Sequence, residues 1–385
     1  MRERLCVIKI GSNALLGPDQ RLDAAFLHEL AGQIADAVRQ HWRPVIVSSG
    51  AVASGVARLG LSSRPPGLPE RQALAAIGQI GLSHAWEQAL AAHGLVAAQL
   101  LLTHGDFAER ERNHNLFATV RALFAFGAIP VINENDPIAT RELTVGDNDH
   151  LAALVASQFA AAQLILLTDI DGVYDRDPRQ DPQARRIPLI PAITASILAA
   201  AGGAGAKGRG GMRSKVEGAR LAAASGVPTV IAAARTPRVI TRALAGEDIG
   251  TRVLARGRRV DARRRWLALA RRVKGRVHID AGAAQAILQR GSSLLPAGIT
   301  RVDGHFHVGD TVAVIAPDGL EIARGLAGIP ADELAKICGL RSDRAAALLG
   351  HPLPKAAIHR DDLLVLSAHG AANEPRATLS EGGTF

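Results

Sequence analysis

The 385-residue chain has only two cysteines, Cys6 and Cys338, near opposite ends. Two such thiols support neither a disulfide framework nor a cysteine-rich metal centre, and their scarcity fits a reducing compartment. The thirteen histidines follow neither HExxH nor CxxC spacing, so zinc chemistry has no support and no directly protein-ligated metal is expected. No apolar run approaches the roughly 18–20 residues that span a bilayer. The N-terminal stretch "MRERLCVIKI" offers only a short apolar run, interrupted by Lys9, so neither a signal peptide nor a membrane helix is expected. A GxxxxGK[ST] pattern is also missing, which excludes a P-loop. These absences describe a soluble, cytoplasmic protein with no membrane partner.

What is present is ample apolar material, 48% of residues, enough for a large core and two or three domains. The formal net charge of +9 is local: residues 252–276 hold eleven Lys/Arg against the single acid Asp261, which leaves the rest of the chain close to neutral. Basicity confined to one stretch describes a connector better than a protein-wide binding face.

Up to about residue 250 two patterns alternate. Short apolar runs, "LCVIKI", "RPVIVSS", "VAAQLLL", "IPVINE", "LILLTD" and "VPTVIAA", read as buried strands. Between them lie helical stretches such as 24–40, where Leu27, Leu30, Ile34 and Val38 recur at helical spacing. Strands apolar throughout, separated by helices, predict an α/β fold with a parallel sheet covered on both faces. Ligands of such sheets collect beyond the carboxyl ends of the strands. That rule gathers Lys9–Ser12, Ser48–Gly50, Asn133–Asp136, Thr168 and Asp169 on one rim. From about 275 to 355 the runs become short and punctuated by Gly, Asp and Pro, which predicts a small, mainly β module. The remainder, lacking apolar periodicity, is expected to be a disordered tail.

Three stretches suggest phosphate chemistry. "VIKIGSN" puts Lys9 on an apolar strand just before Gly11, where a buried ammonium calls for an anionic partner; a frayed strand end in water is the alternative. "VSSGAVASG" repeats the design with hydroxyls, although small residues at such a turn also serve packing. "AGGAGAKGRGGMRSK" has six glycines within 202–211 and closes on Lys215, a cradle for phosphates or else a surface loop. Between them "VINENDPIAT" and "VGDNDH" form two polar knots whose carboxylates and amides could orient the lysines and grip a second substrate.

Taken in order, "VIKIGSN", "VSSGAVASG", "RQALAAIGQ", "VINENDPIAT", "VGDNDHLAALVA", "LLTDIDGVYDRDP" and "GRGGMRSK" resemble the glutamate kinases, a branch of the amino acid kinase family. The resemblance continues through "DAGAAQAILQRGSSLLPAGI", which looks like the start of a PUA domain. It implies an αβα sandwich over residues 1–255, a basic connector over 256–275, a PUA-like domain over 276–362 and a tail over 363–385. It also implies ATP-dependent phosphorylation of the γ-carboxylate of L-glutamate, the first step of proline biosynthesis, with Mg²⁺ accompanying the nucleotide. Carried over residue by residue, Ser49, Asp136 and Asn148 would bind glutamate. Lys9 and Lys215 would contact the ATP phosphates, Asp149 would hold both lysines, and Thr168, Asp169, Arg209, Gly210, Gly211, Met212, Arg213 and Ser214 would complete the nucleotide site. Asp136 would accept from the substrate ammonium and Asn148 would donate to its carboxylate. A homo-oligomer, dimer or tetramer, and hand-over of the acyl phosphate to glutamate-5-semialdehyde dehydrogenase also follow from the resemblance.

The chain departs from the family pattern at Arg209, where a threonine is usual, at Ser214 and Asn13, and at Phe117, which replaces an arginine. Residues 277–362 contain eight Lys/Arg and ten Asp/Glu, so nucleic-acid binding through the PUA-like module is not expected. Other kinases of the same fold, acting on aspartate, acetylglutamate or UMP, are the nearest alternative, and an RNA-binding protein is the next.

Overall fold

The computed structural model describes residues 4–108, 110–139, 148–178, 180–202, 211–255, 273–352, 354 and 356–366. Eight strands build the first sheet: β1 (Arg4–Ile10), β2 (Trp42–Ser48), β3 (Val96–Leu102), β4 (Ala128–Glu134), β5 (Gln163–Thr168), β6 (Leu189–Ile190), β7 (Thr229–Ala233) and β8 (Thr251–Val253). Their order is β3-β4-β2-β1-β5-β7-β8-β6. All neighbours run parallel except β7 and β8. The six apolar runs named above are the six longest of these strands. The two short strands, β6 and β8, add a local antiparallel pairing at one edge, a departure from the purely parallel expectation.

The helices that cover this sheet are α1 (Ser12–Leu15), α2 (Ala24–Arg39), α3 (Ala51–Arg58), α4 (Leu68–Ala91), α5 (His104–Ala108), α6 (Arg110–Ala125), α7 (Asn148–Gln158), α8 (Ala195–Ala200), α9 (Met212–Ala224) and α10 (Val239–Ala245). Helix α2 shows why the periodicity was readable. Asp23 caps its first turn by accepting from the Phe26 N–H at 3.0 Å, and Leu27, Leu30 and Ile34 are buried on one face.

Alternation along the central strands sorts side chains to two cores. Cys6, Ile8 and Ile10 of β1, with Ile165 and Leu167 of β5, pack against α2, α4 and α10. Val7 of β1, with Leu164 and Leu166 of β5, packs against α6, α7 and α9. The result is the expected αβα layering, and it assigns Lys9 to the face of Val7, toward α7 and α9.

A second sheet, in the order β10-β9-β11-β12-β13, is built from β9 (Val273–Ile279), β10 (Ile299–Gly304), β11 (Thr311–Ile315), β12 (Glu321–Leu326) and β13 (Leu363–Val365). It has its own apolar core around Val277, Val312, Ile322 and Ile358. Two expected boundaries need correction. Strand β9 begins at Val273, within the stretch assigned to the connector, because Val277 and Ile279 turn inward while Lys274 and Arg276 form the strand's exposed face. At the other end Leu363–Val365 pair with β12 and Leu363, Leu364 and Leu366 are buried, so the sheet takes residues assigned to the tail. Most of the basic connector, residues 256–272, lies outside the described residues.

Candidate active site

The rim formed by the carboxyl ends of β1, β2, β4 and β5 brings together most of the polar residues singled out in the sequence. At its centre is Asp149, in the first turn of α7 and fully buried. Lys9 Nζ lies 2.5 Å from its Oδ1 and Lys215 Nζ 3.1 Å from its Oδ2. Ser214 Oγ adds a hydrogen bond to Oδ2 at 3.2 Å. Both lysines are nearly as buried as the aspartate. One carboxylate thus serves two ammonium groups, and the buried cluster carries a net charge of +1 in its fully ionised form.

Each member arrives by a local rule. Lys9 shares Val7's face of β1. Asp149 sits where the N-terminal amides of α7 favour a negative charge. Lys215 belongs to the first turn of α9, where the helix field disfavours a cation, a cost that a structural role alone does not account for. Helix α9 approaches because Gly218, one turn beyond Lys215, has no side chain: a Cβ there would stand 2.9 Å from the Asp149 carbonyl oxygen.

Beside this centre lies a cavity of about 600 Å³ lined by Ser49, Asn133, Glu134, Asp136 and Asn148, with Arg64 at its wall. Ser49 follows β2 and its N–H is held by the Ile10 carbonyl at 3.1 Å. The next residue, Gly50, caps α3 with φ +113°, a left-handed conformation that glycine adopts without strain. Asn148 Nδ2 donates to Ser49 Oγ at 2.8 Å and to Asn133 Oδ1 at 3.0 Å. Both amide hydrogens are therefore committed, and Asn148 Oδ1 is buried with no partner among the described residues. In this arrangement the atom that Asn148 leaves over is an acceptor, where donation to a ligand was expected. Burial pushes the Asp136 carboxyl above its usual range, and the Arg64 guanidinium offsets part of that. Asn148 and Asp149 are consecutive, so the cavity and the lysine centre share one helical turn.

Thr168 ends β5 on the same rim and its hydroxyl donates to Asp169 Oδ1 at 2.9 Å. Gly211 is the N-cap of α9 and has no side chain to occupy the first N–H groups of that helix, which suit an anion. Not every loop residue converges. Arg213 pairs with Glu217 at 3.0 Å on the exposed face of α9, and Met212 packs against the apolar core. Arg209 and Gly210 lie outside the described residues, as does Asp147. Phe117 stacks on Phe159 at 5.1 Å in a groove that also includes Leu5 and Arg43, at the opposite ends of the strands.

Asn133 lines the cavity and contacts Asn148, although the sequence reading gave it no role; its signal was its place at a strand end between Ile132 and Glu134. Among the described residues no group of three or more His, Cys, Asp or Glu is placed to hold a metal ion, and the one carboxylate at the centre is already shared by two lysines. The arrangement suits a polyanion facing the lysines and the N-terminus of α9, with an amino-bearing small molecule in the adjoining cavity.

Residues 4–233 match the Amino acid kinase family and residues 275–349 match the PUA domain. A glutamate 5-kinase of Deinococcus radiodurans is 46% identical over 361 residues, covering 94% of this chain and 99% of its own. One from Chromohalobacter salexigens is 46% identical over 365 residues, covering 95% of this chain and 97% of its own. A third, from Pelobacter propionicus, is 44% identical over 361 residues.

Proposed function

The chain belongs to the amino acid kinase family, and from that premise we infer that it transfers the γ-phosphoryl group of ATP to the γ-carboxylate of L-glutamate. The product is L-glutamyl 5-phosphate, and the reaction opens proline biosynthesis. The observation that carries the reading is the pair of buried lysines held on Asp149 beside a cavity lined by Ser49, Asn133, Asp136 and Asn148.

The chemistry asks for little else. A glutamate side chain has a reference pKa of about 4.3, so the nucleophile is ionised at neutral pH and needs no general base. The obstacle is electrostatic, because an anion must reach a polyanion. Lys9, Lys215 and the N-terminal amides of α9 supply the compensating charge and are already fixed in place, so little reorganisation accompanies transfer. Asp149 keeps both ammonium groups aimed at the phosphates. It is too engaged with them to act as a base. Thr168, Asp169 and Gly211 flank the nucleotide, and Ser214 holds Asp149. On the acceptor side Asp136 and Asn148 Oδ1 receive the substrate ammonium, while Ser49 Oγ can donate to its α-carboxylate.

Mg²⁺ enters as part of the nucleotide substrate. When bound, it neutralises phosphate charge. The enzyme works as a dimer or tetramer in the cytoplasm, and its reactive product passes to glutamate-5-semialdehyde dehydrogenase. No helix among the described residues is long and apolar enough to cross a membrane.

ADP release with MgATP across glutamate, aspartate, N-acetylglutamate and UMP tests the assignment. Release with glutamate alone is expected. Faster turnover of any of the other three would reassign the acceptor.

A further inference from the structure

Helix α4 lines the acceptor cavity with Arg71 and Gln72, and its side chains also hold three of the segments that build that cavity. Gln72, Gln79 and Trp86 are spaced by seven residues, two helical turns, and stand in line on one face. Gln72 Nε2 donates to the carbonyls of Asp136 and Ala139, both at 3.0 Å, and fixes the turn that carries the Asp136 carboxylate. Gln79 Oε1 accepts from Asn133 Nδ2 at 2.8 Å. Trp86 Nε1 donates to Ser48 Oγ at 2.8 Å, next to Ser49.

The middle contact also sets a direction. The backbone N–H of Glu134 donates to one side-chain atom of Asn133 at 2.9 Å, and a backbone N–H can only donate, so that atom is Oδ1. The amide nitrogen of Asn133 must then face Gln79. Asn148 meets the same Oδ1 at 3.0 Å, so it too must present its nitrogen there, and its own oxygen is what remains. Beyond Gln79 the chain continues outward: its Nε2 donates to Ser83 Oγ at 3.0 Å, and Ser83 donates to Gln99 Oε1 on β3 at 2.7 Å. The direction is therefore set from inside, by the backbone amide of Glu134, and the serine and glutamine outside, which can each present either end, follow it.

We propose that Gln79 is a positioning residue of the acceptor site: by accepting from the amide nitrogen of Asn133 it holds that side chain, in the orientation the Glu134 N–H sets, against Asn148, and so keeps a buried oxygen acceptor of Asn148 available for the ammonium of an amino-acid substrate. This rests on the glutamate-kinase reading and adds to it the element that makes the cavity select for an amino group. A buried acceptor without a partner is costly, and a substrate ammonium relieves that cost on binding.

The test compares wild type with Gln79→Met, which keeps the length of the side chain but removes its acceptor, and Gln79→Glu, which keeps the acceptor. Glutamate-dependent turnover by wild type is measured first, and its absence would overturn the functional reading itself. With wild type active, Gln79→Met is expected to raise the KM for glutamate about tenfold, the scale of one oriented buried hydrogen bond. The KM for ATP and kcat should change less than about twofold, a shift too small to count as a lost hydrogen bond. The inhibition constant of glutarate, which is glutamate without its amino group, should not move. Gln79→Glu should recover most of the glutamate affinity. If Gln79→Met fails to fold, Ser83→Ala replaces it, with the same signature at about threefold because only the orienting partner of Gln79 is lost. An unchanged glutamate KM, or parallel losses for glutamate, glutarate and ATP, would show that α4 merely packs there and would overturn the proposal.

Discussion

Replacing Asp149 by asparagine keeps the shape of the side chain and removes the one negative charge that two buried lysines share. Lys9 is 2% exposed and Lys215 4%, so neither can turn to water without moving a strand or a helix. Breaking a buried ion pair by deleting one partner typically costs about 3–5 kcal/mol, because the other charge is left desolvated and alone. Here two charges would be stranded, and deprotonation of one lysine limits the loss to about the same range. The lysine variants make the internal control. Lys9→Met or Lys215→Met leaves a neutral pair in place of a cluster with a surplus positive charge, so each should cost no more than about 1–2 kcal/mol, chiefly imperfect packing. All three variants should lose turnover. The ordering is read by urea unfolding at pH 7 with m-values compared, so that a changed slope is not mistaken for a changed stability. If Asp149→Asn proves as stable as the two lysine variants, the aspartate is not the charge that holds the centre together, and the account of the site fails.

Asp136→Asn should separate stability from binding. Burial raises the Asp136 pKa, so the folded protein penalises its ionised form. That penalty is fully present at neutral pH, shrinks as pH falls through the raised folded value, and is gone below the unfolded value of 3.8. Thermal unfolding without ligand should thus show the variant about 1–3 °C more stable than wild type at pH 7, with the gain vanishing toward pH 4. The KM for glutamate should rise about 10- to 100-fold, the loss of a charge-assisted bond. Gly218→Ala places a Cβ 2.9 Å from the Asp149 carbonyl, so α9 must retreat and Lys215 with it. Turnover should fall at least tenfold for a stability loss of about 1–3 kcal/mol, measured by steady-state kinetics beside unfolding. Burial pushes the Cys6 thiol up to about 12, so a thiol reagent should label Cys6 only under unfolding conditions, as read by mass spectrometry of the Cys6 peptide.

Much of this architecture is written in local pattern. Strands β1, β2, β4 and β5 are apolar on both faces because both faces are covered, and a lysine on such a strand announces an anion near its end. The glycine-flanked serine at Ser49 and the lysine closing the glycine loop are readable for the same reason. What escaped depends on contacts distant in sequence. Strands β6 and β8 have two and three residues, too few to set a period, and exist because β8 pairs with β7. Strand β13 looked like the start of a polar tail, since three apolar residues become a strand only when β12 is beside them. The polarity of Asn148 could not be read either, because an amide can face a partner with either end and its partners lie just after β2 and in β4. The glutamines of α4 were hidden for another reason: that helix spreads polar and apolar residues all round, so no amphipathic stripe marks the face that carries Gln72, Gln79 and Trp86.

Oxygen transfer from glutamate tests the central claim most directly. Glutamate labelled with ¹⁸O in its γ-carboxylate is turned over with MgATP in the presence of hydroxylamine, which attacks the acyl carbon and releases phosphate with its bridging oxygen. If the carboxylate attacks the γ-phosphorus between Lys9 and Lys215, each phosphate formed with glutamyl hydroxamate carries one ¹⁸O. Unlabelled phosphate, released without hydroxamate, would mean that water is the acceptor, and the reading of this centre as a carboxylate kinase would be wrong.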